Sequence, residues 1–285
     1  MILVLGKNGQ VASELKILAT NEFYFSSKEE INLLRPDTII PILNDLNPRL
    51  IINCTAYNQV DSAEIDPIDS FLINAESLKK IGEFSYAKNC PVIHISTDFV
   101  FDGLNGPYDE NSIKNPINKY GESKSQGEEY LLDSVGKLLI IRTSWVYSNF
   151  GSNFFKAITH SFKNNKEIYG AVDVIGSPTR AFTIAKFIYD NYENFLHNDF
   201  EKIYHLCDSG LTSKYEFICS IISKISYKFE LPNVEIKKVT NNFFTLPALR
   251  PLNSGLINRK ISNDFKFKIN DWESELDQEV ERLTV

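Results

Sequence analysis

Tyr120 and Lys124 stand four residues apart in the run Tyr120-Gly-Glu-Ser-Lys124. On a helix that spacing puts both side chains on one face, about one turn apart. A phenol ordinarily releases its proton near pH ~10. A cation beside it favours the phenolate and makes the phenol a better acid near neutrality. Such a pair can hand a proton to a developing alkoxide, and the hydroxyl of Thr97, in Ser96-Thr97-Asp98, could share the same oxygen. The spacing alone is weak evidence: Tyr24 and Lys28 repeat it by accident of composition, and a surface pair would look the same. The setting separates the two copies. Before Ser96 lies an apolar run, Pro91 to Ile95, which reads as a buried strand. After it comes a loop rich in Gly, Asn, Asp and Pro, from Asp102 to Lys119, and then the helical pattern that Tyr120 opens. Thr97 is thereby expected at the carboxyl end of a strand, where open parallel sheets bind ligands.

The elements that must position these groups read as a strand–helix alternation. Ile2 to Leu5 is an apolar run that ends in Gly6-Lys7-Asn8-Gly9-Gln10-Val11-Ala12, and a helical pattern continues through Leu15 and Leu18. Strand, glycine turn and helix form the context a dinucleotide fingerprint requires. Gly6 permits the tight turn, and Gly9 lets a pyrophosphate approach the backbone. The helix start near Gln10 and Val11 offers free N–H groups and a positive dipole end. Ala12 stands where a small residue allows close helix–strand packing. The start is Gly-x-x-Gly rather than Gly-x-Gly, and a plain turn before a helix remains the alternative. Phe23 to Phe25 reads as the second strand, followed by Ser26, Ser27 and Lys28. An acidic residue there would take the ribose 2′-hydroxyl of NAD. Two hydroxyls and a lysine suit a 2′-phosphate better, so NADPH is the expected cofactor, with NADH left open.

Asp37 is expected to cap a helix running to about Leu46, with Pro41 limiting its first turn. Leu50 to Asn53 is the next strand, and the small residues of Cys54-Thr55-Ala56-Tyr57 past its end would let a cofactor lie against the backbone. Asp66-Pro67 is expected to start one long helix through about Ala87. Lys137 to Ile141 is a further strand, ending in Arg142-Thr-Ser-Trp145-Val-Tyr147. Trp145 there is either a core residue or the wall of a ligand pocket. Beyond it the alternation loosens. Phe154–Phe162 looks helical, Gly176 to Thr179 is a turn, and about 181–196 is a helix before a strand over 203–206. A helix over 215–225, a strand over 234–239 and a last helix from Trp272 follow. Arg250, in a Pro-bounded loop, could fork onto a phosphate or stand unliganded on the surface.

Bulk properties narrow the function classes. The 285 residues, 43% of them hydrophobic, can bury a substantial core. A net charge of −7 argues against nucleic acid and anionic membrane surfaces as partners. Cys54, Cys90, Cys207 and Cys219 are scattered, with no metal-ligand or disulfide spacing, and are expected to be free thiols. Met1 runs straight into a strand and no run approaches transmembrane length, so the expectation is a soluble, cytoplasmic protein with no membrane partner.

Several segments together resemble the extended short-chain dehydrogenase/reductases and, more narrowly, the dTDP-4-dehydrorhamnose reductase family. They are Gly6 to Val11, Val60-Asp-Ser-Ala-Glu64, Ser96 to Phe101, Tyr120 to Lys124, Arg142 to Tyr147, Gly176 to Thr179, Tyr204-His-Leu206 and Arg250-Pro-Leu-Asn253-Ser254. They span nearly the whole chain in the family's order. The resemblance implies an α/β fold: a Rossmann-type doubly wound parallel sheet with a smaller α+β substrate-binding C-terminal region. Residues 1–149 would be the dinucleotide-binding domain, regained at about 174–206, and 150–285 the interleaved substrate region. It implies reduction of the 4-keto group of a nucleotide-linked 4-keto-6-deoxy sugar, as dTDP-4-dehydrorhamnose becomes dTDP-rhamnose for cell-surface polysaccharide precursors. Tyr120 would be the proton donor, Thr97 would bond the reacting oxygen, and Lys124 would hold the nicotinamide ribose and lower the phenol's pKa. Gly6, Asn8, Gly9, Gln10, Val11, Asn32, Leu33, Thr55, Ala56, Tyr57, Ser96, Tyr120 and Lys124 would bind cofactor. Val60, Thr97, Phe99, Trp145, Arg250 and Asn253 would bind the nucleotide sugar.

The departures from the family are specific. Phe99 stands where a Tyr is usual, Asn58 where a Thr is usual, Cys54-Thr55 where Ala-Ala is usual, and Asn32 where an acidic residue is usual near the adenine. Some members join subunits through a metal held by glutamates. Glu14 matches one such position but Phe182 falls at another, so no metal is expected, while a homodimer stays open. Two alternatives accompany this reading. One is an epimerase or dehydratase of the same superfamily, although Phe99 replaces the Glu base of the dehydratases. The other is a cofactor-binding regulatory subunit without catalysis, which would not need Thr97, Tyr120 and Lys124 together.

Overall fold

The computed structural model describes residues 1–164, 167–231 and 234–284. β1 (Ile2–Leu5), α1 (Gln10–Leu18), β2 (Phe23–Ser26), α2 (Ile39–Leu46) and β3 (Leu50–Asn53) open the chain. α3 (Val60–Ile65), α4 (Ile68–Phe71), α5 (Ser77–Lys88), β4 (Val92–Thr97), α6 (Lys119–Ser134) and β5 (Leu138–Thr143) follow. Then come β6 (Val146–Tyr147), α7 (Phe154–Lys163), β7 (Ile168–Ala171), β8 (Ile175–Gly176), β9 (Thr179–Arg180), α8 (Ala181–His197) and β10 (Ile203–His205). The last elements are β11 (Thr212–Ser213), α9 (Lys214–Phe229), β12 (Ile236–Val239), α10 (Arg259–Phe265) and α11 (Trp272–Glu281).

Six strands pair in parallel in the order β2-β1-β3-β4-β5-β10. Their residues alternate between two cores. Ile2, Val4, Ile52, Ile93 and Ile141 pack with Leu15 of α1 and Phe187 of α8 on one face. Leu3, Leu5, Ile51, Val92 and Ile140 pack with Leu43 of α2, Ile81 of α5 and Leu131 of α6 on the other. Burial on both faces is why these strands read as unbroken apolar runs. The expected α/β doubly wound sheet is present. A third core, with Phe155, Phe217, Ile221, Trp272 and Leu276, unites α7, α9 and α11 in the C-terminal region. Beside it lie three two-stranded pairs: β7 with β12, β8 with β11, and β6 with β9. The chain returns to the main sheet through α8, which packs on α1, and β10, which pairs with β5.

Local differences from the sequence expectation have physical causes. Asp37 caps nothing: it lies inside a 3-10 turn over Pro36–Thr38, and α2 starts after it without a side-chain cap bond. The turn expected at Gly176 to Thr179 is flanked by β8 and β9, which pair outside the main sheet. The long helix expected after Pro67 runs unbroken to Lys88, with a π-type turn over Leu72–Glu76 set between α4 and α5. Wide turns of this kind accompany functional sites. Here Asn74 faces α6, its carbonyl 1.9 Å from where a Cβ on Gly127 would stand. Its side chain clasps the Tyr57 backbone, accepting from the N–H and donating to the carbonyl, both at 2.9 Å.

Candidate active site

β1 and β3 are neighbours although β2 lies between them in sequence, so the loops after them diverge at a topological switch point. Gly6 adopts φ +89°, and a Cβ there would sit 2.6 Å from Thr55 Oγ1. Only glycine combines that backbone with that approach. Gly9 caps α1 without any side-chain bond, which leaves the first-turn amides of α1 directed at whatever lies in front of them. This cradle fits the pyrophosphate of a dinucleotide.

A cleft of about 660 Å³ runs along the carboxyl edge of the sheet. Its lining brings together Gly6, Asn8, Gly9, Gln10, Val11, Thr55, Ala56, Val60, Ser96, Thr97, Phe99, Tyr120, Lys124 and Trp145. Ser27 and Lys28 at the end of β2 also line it, in the region expected to meet a 2′-phosphate. Asn32, Leu33, Tyr57, Arg250 and Asn253 stand outside the lining. Leu33 is buried in the core beside Ile31, and Asn32 spends its carbonyl on the Leu34 N–H at 3.0 Å. Tyr57 is held through its backbone by Asn74. Arg250 pairs with Asp61 at 2.7 Å, and Asn253 donates to the Gly106 carbonyl at 3.2 Å.

The helix that carries Tyr120 and Lys124 is placed from both ends. Asn118 caps α6 by accepting the Gly121 N–H at 2.8 Å and donates to the Leu249 carbonyl at 2.7 Å. A Cβ on Gly121 would lie 2.3 Å from the Phe99 carbonyl, so this glycine lets α6 close onto the end of β4. Further along, Glu128 is fully buried and accepts from Arg142 Nε at 3.0 Å and Nη2 at 2.7 Å, tying α6 to β5. Ser96 donates to the same carboxylate at 2.5 Å and ties in β4.

Burial pushes the Tyr120 phenol up to about 12; the Thr97 hydroxyl opposes that shift and the Asp98 charge adds to it. The phenol therefore stays protonated through the neutral range. Phe99 packs edge-on to Tyr120, the ring centroids 5.6 Å apart. Asp98 accepts from Ser144 Oγ at 2.9 Å, from Thr97 Oγ at 3.2 Å and from Ser254 Oγ, which docks the C-terminal loop against the strand end. The Lys124 ammonium donates to the Ile95 carbonyl at 2.7 Å and lies 3.1 Å from His94 Nε2, so it is anchored on β4, and it is not among the groups that shift the phenol. Burial brings that ammonium down to about 8, with Glu128 opposing the shift.

Three participants were not singled out from the sequence. His94 is a buried strand residue whose partner, Lys124, is remote in the chain. Phe154 lines the cleft from the start of α7. Lys214 sets its Nζ 3.4 Å from the centroid of the Trp145 ring. The one local signal for Lys214 was a cation in the first turn of a helix, where the dipole disfavours it. Trp145 itself, with φ +45° and an indole against Gly176, is a cleft wall. Glu14 is fully buried and bonded by Arg282 at 2.8 and 3.0 Å, so its carboxylate is satisfied within the chain. All four cysteines are free. Among the described residues no helix is long and apolar enough to cross a membrane.

Comparison with known proteins agrees with this arrangement. The family model described as RmlD substrate binding domain matches residues 1–285. The dTDP-4-dehydrorhamnose reductase of Aggregatibacter actinomycetemcomitans is 33% identical over 284 residues, covering 96% of each chain. That of Escherichia coli K12 is 34% identical, covering 95% of this chain and 94% of the relative. The crystal structure of the Bacillus anthracis dTDP-4-dehydrorhamnose reductase in complex with NADP superposes with a TM-score of 0.90 at 28% identity, covering 99% of each chain. The cleft geometry, the family match and the length of these alignments together show that the chain belongs to the dTDP-4-dehydrorhamnose reductase family.

Proposed function

We propose that the protein reduces the 4-keto group of dTDP-4-dehydrorhamnose with NADPH, giving dTDP-rhamnose for cell-surface polysaccharide precursors. The observation that carries this reading is the meeting of the Gly6–Gly9 cradle with Thr97, Tyr120 and Lys124 in one cleft. When bound, the reduced nicotinamide supplies the hydride. Tyr120 Oη gives its proton to the alkoxide that forms on the sugar, and its high pKa keeps that proton available at neutral pH. Thr97 Oγ bonds the same oxygen. Lys124, anchored on β4, holds the nicotinamide ribose. Ser27 and Lys28 receive the 2′-phosphate, which favours NADPH over NADH. Val60 and Trp145 bound the sugar, and Arg250 and Asn253 join through the loop that Ser254 docks onto Asp98. The reading includes a cytoplasmic homodimer, to be tested by sedimentation.

Dehydration is disfavoured because Phe99 packs its ring on Tyr120 where a carboxylate base would have to stand. A purely regulatory role is disfavoured by the complete Thr97, Tyr120 and Lys124 set in the cleft. The test is NADPH oxidation with dTDP-4-dehydrorhamnose generated in situ. Tyr120→Phe should lower kcat by about 10²- to 10⁴-fold while NADPH binding persists. Full activity in that variant would remove Tyr120 as the donor. NADPH binding without turnover by the unaltered protein would favour the regulatory role.

A further inference from the structure

Two polar residues interrupt one apolar face of the sheet. Asn53 ends β3 and His94 lies beside it in β4, the two being register partners. Both are buried, and they continue the face on which Ile51, Val92 and Ile140 pack against α5 and α6. Burying such groups is tolerated when each donor and acceptor is matched. The matching here fixes where the protons are. The Thr55 N–H can only donate, and it donates to Asn53 Oδ1 at 3.0 Å. The amide nitrogen Nδ2 therefore faces His94 Nδ1, at 3.1 Å, and Nδ1 must accept.

A neutral imidazole carries one N–H. Burial holds the His94 pKa well below its ordinary value, so the ring is neutral. With Nδ1 accepting, its proton is on Nε2, 3.1 Å from Lys124 Nζ. An ammonium has no lone pair, so it would meet this N–H donor to donor, whereas an amine accepts it. Of the amine's two N–H groups, one goes to the Ile95 carbonyl at 2.7 Å. The other is left for the cleft, which Lys124 lines. The ionisable groups around Nζ permit the amine. Glu128, one turn along α6, favours the charge, but its carboxylate is spent on Arg142 of β5 and Ser96 of β4. Tyr120 stays protonated and adds no charge. Burial has already brought Nζ down to about 8, and a donor aimed at its lone pair favours the amine further.

We propose that His94, backed by Asn53, is a positioning residue that holds Lys124 as a neutral amine, its lone pair bound to the imidazole and one N–H left for the nicotinamide ribose. The role of the amine rests on the reductase reading above; the proton count does not. The test is heteronuclear NMR of the histidine and lysine side chains in the full-length protein, free and with NADPH bound, the signals being assigned with the His94→Phe and Lys124→Met variants. His94 should show Nδ1 unprotonated and Nε2 protonated, and Lys124 should be an amine at neutral pH. In His94→Phe, Lys124 should keep its proton to a pH higher by about one unit, as for one lost hydrogen bond. The kcat/KM for NADPH should fall about tenfold for the same reason. His94→Gln, whose amide N–H can replace Nε2–H, should recover most of both effects, which a merely space-filling role for His94 would not allow. A proton on Nδ1, or an ammonium at Lys124 at neutral pH, would overturn the inference and leave the reductase reading intact. The expected tautomer without NADPH oxidation by the unaltered protein would overturn the reductase reading, and the role of the amine with it.

Discussion

Replacing Glu128 by Gln tests whether a buried ion pair holds α6, the helix that carries Tyr120 and Lys124, in register. Glu128 is fully buried on α6, one helical turn beyond Lys124. Burial works against its charge, but Arg142, Lys114 and Ser96 outweigh that cost and hold the carboxyl below its ordinary range. Glutamine keeps one acceptor and loses the charge, leaving the Arg142 guanidinium buried over the Phe101 ring with no counter-ion. Removing one partner of a buried pair costs about 3–5 kcal/mol. The retained hydrogen bond returns about 1 kcal/mol, so the net loss is about 2–4 kcal/mol. For a chain of this size that is roughly 3–7 °C in Tm. The assay is thermal unfolding followed by circular dichroism at neutral pH, with and without NADPH. The sign with pH follows from the depressed carboxyl: the stabilisation is present above the unfolded carboxylate pKa and is lost as pH falls through the folded one. Glu128→Gln should therefore destabilise most at neutral pH and converge with the unaltered protein in acid. The double variant Glu128→Gln/Arg142→Met removes the stranded cation and should recover part of the loss. A shift below about 1 °C in the single variant, or a double variant no more stable than the single, would refute the reasoning.

Three further outcomes follow from the geometry. Gly176→Ala would place a Cβ 2.4 Å from the Trp145 indole. The wall must move, costing about 1–3 kcal/mol, and the KM for the sugar should rise with a change in tryptophan fluorescence; an unchanged KM and spectrum would show the indole to be free to shift. Lys28→Glu, at the end of β2, should shift the ratio of kcat/KM values toward NADH by roughly tenfold or more, as for one lost charged contact, and an unaltered ratio would place the 2′-phosphate elsewhere. Burial pushes Asp208 up to about 8, the Arg180 N–H opposing the shift. The native chain thus keeps a proton that the unfolded chain has released, and stability from this group falls as pH rises between about 4 and 8. Asp208→Asn should flatten the fall in Tm between about pH 6 and 8; an unchanged slope would assign it to other groups.

Local patterns made the sheet and much of the site legible. The apolar runs at Ile2, Leu50, Val92 and Leu138 become strands because helices cover both faces, and no other environment suits such runs so well. The glycine turn, the hydroxyls ending β4 and the Tyr–Lys spacing on α6 work through near neighbours, so their types and spacing carried the information. The sequence by itself thus determined the glycine turn after β1 and the placing of Tyr120 and Thr97 in one cleft. What it left open are relations between remote segments. Lys124 is directed to His94 and the Ile95 carbonyl by the packing of α6 on β4, not by its spacing from Tyr120. The π-type turn at Leu72–Glu76 answers to Gly127, and Trp145 becomes a wall only because Gly176 and Lys214 come to lie against its ring. Those contacts depend on desolvation and close packing between elements tens of residues apart. Periodicity and propensity do not record them, so the burial that sets the Tyr120, Lys124 and Lys214 charges was decided by the tertiary structure alone.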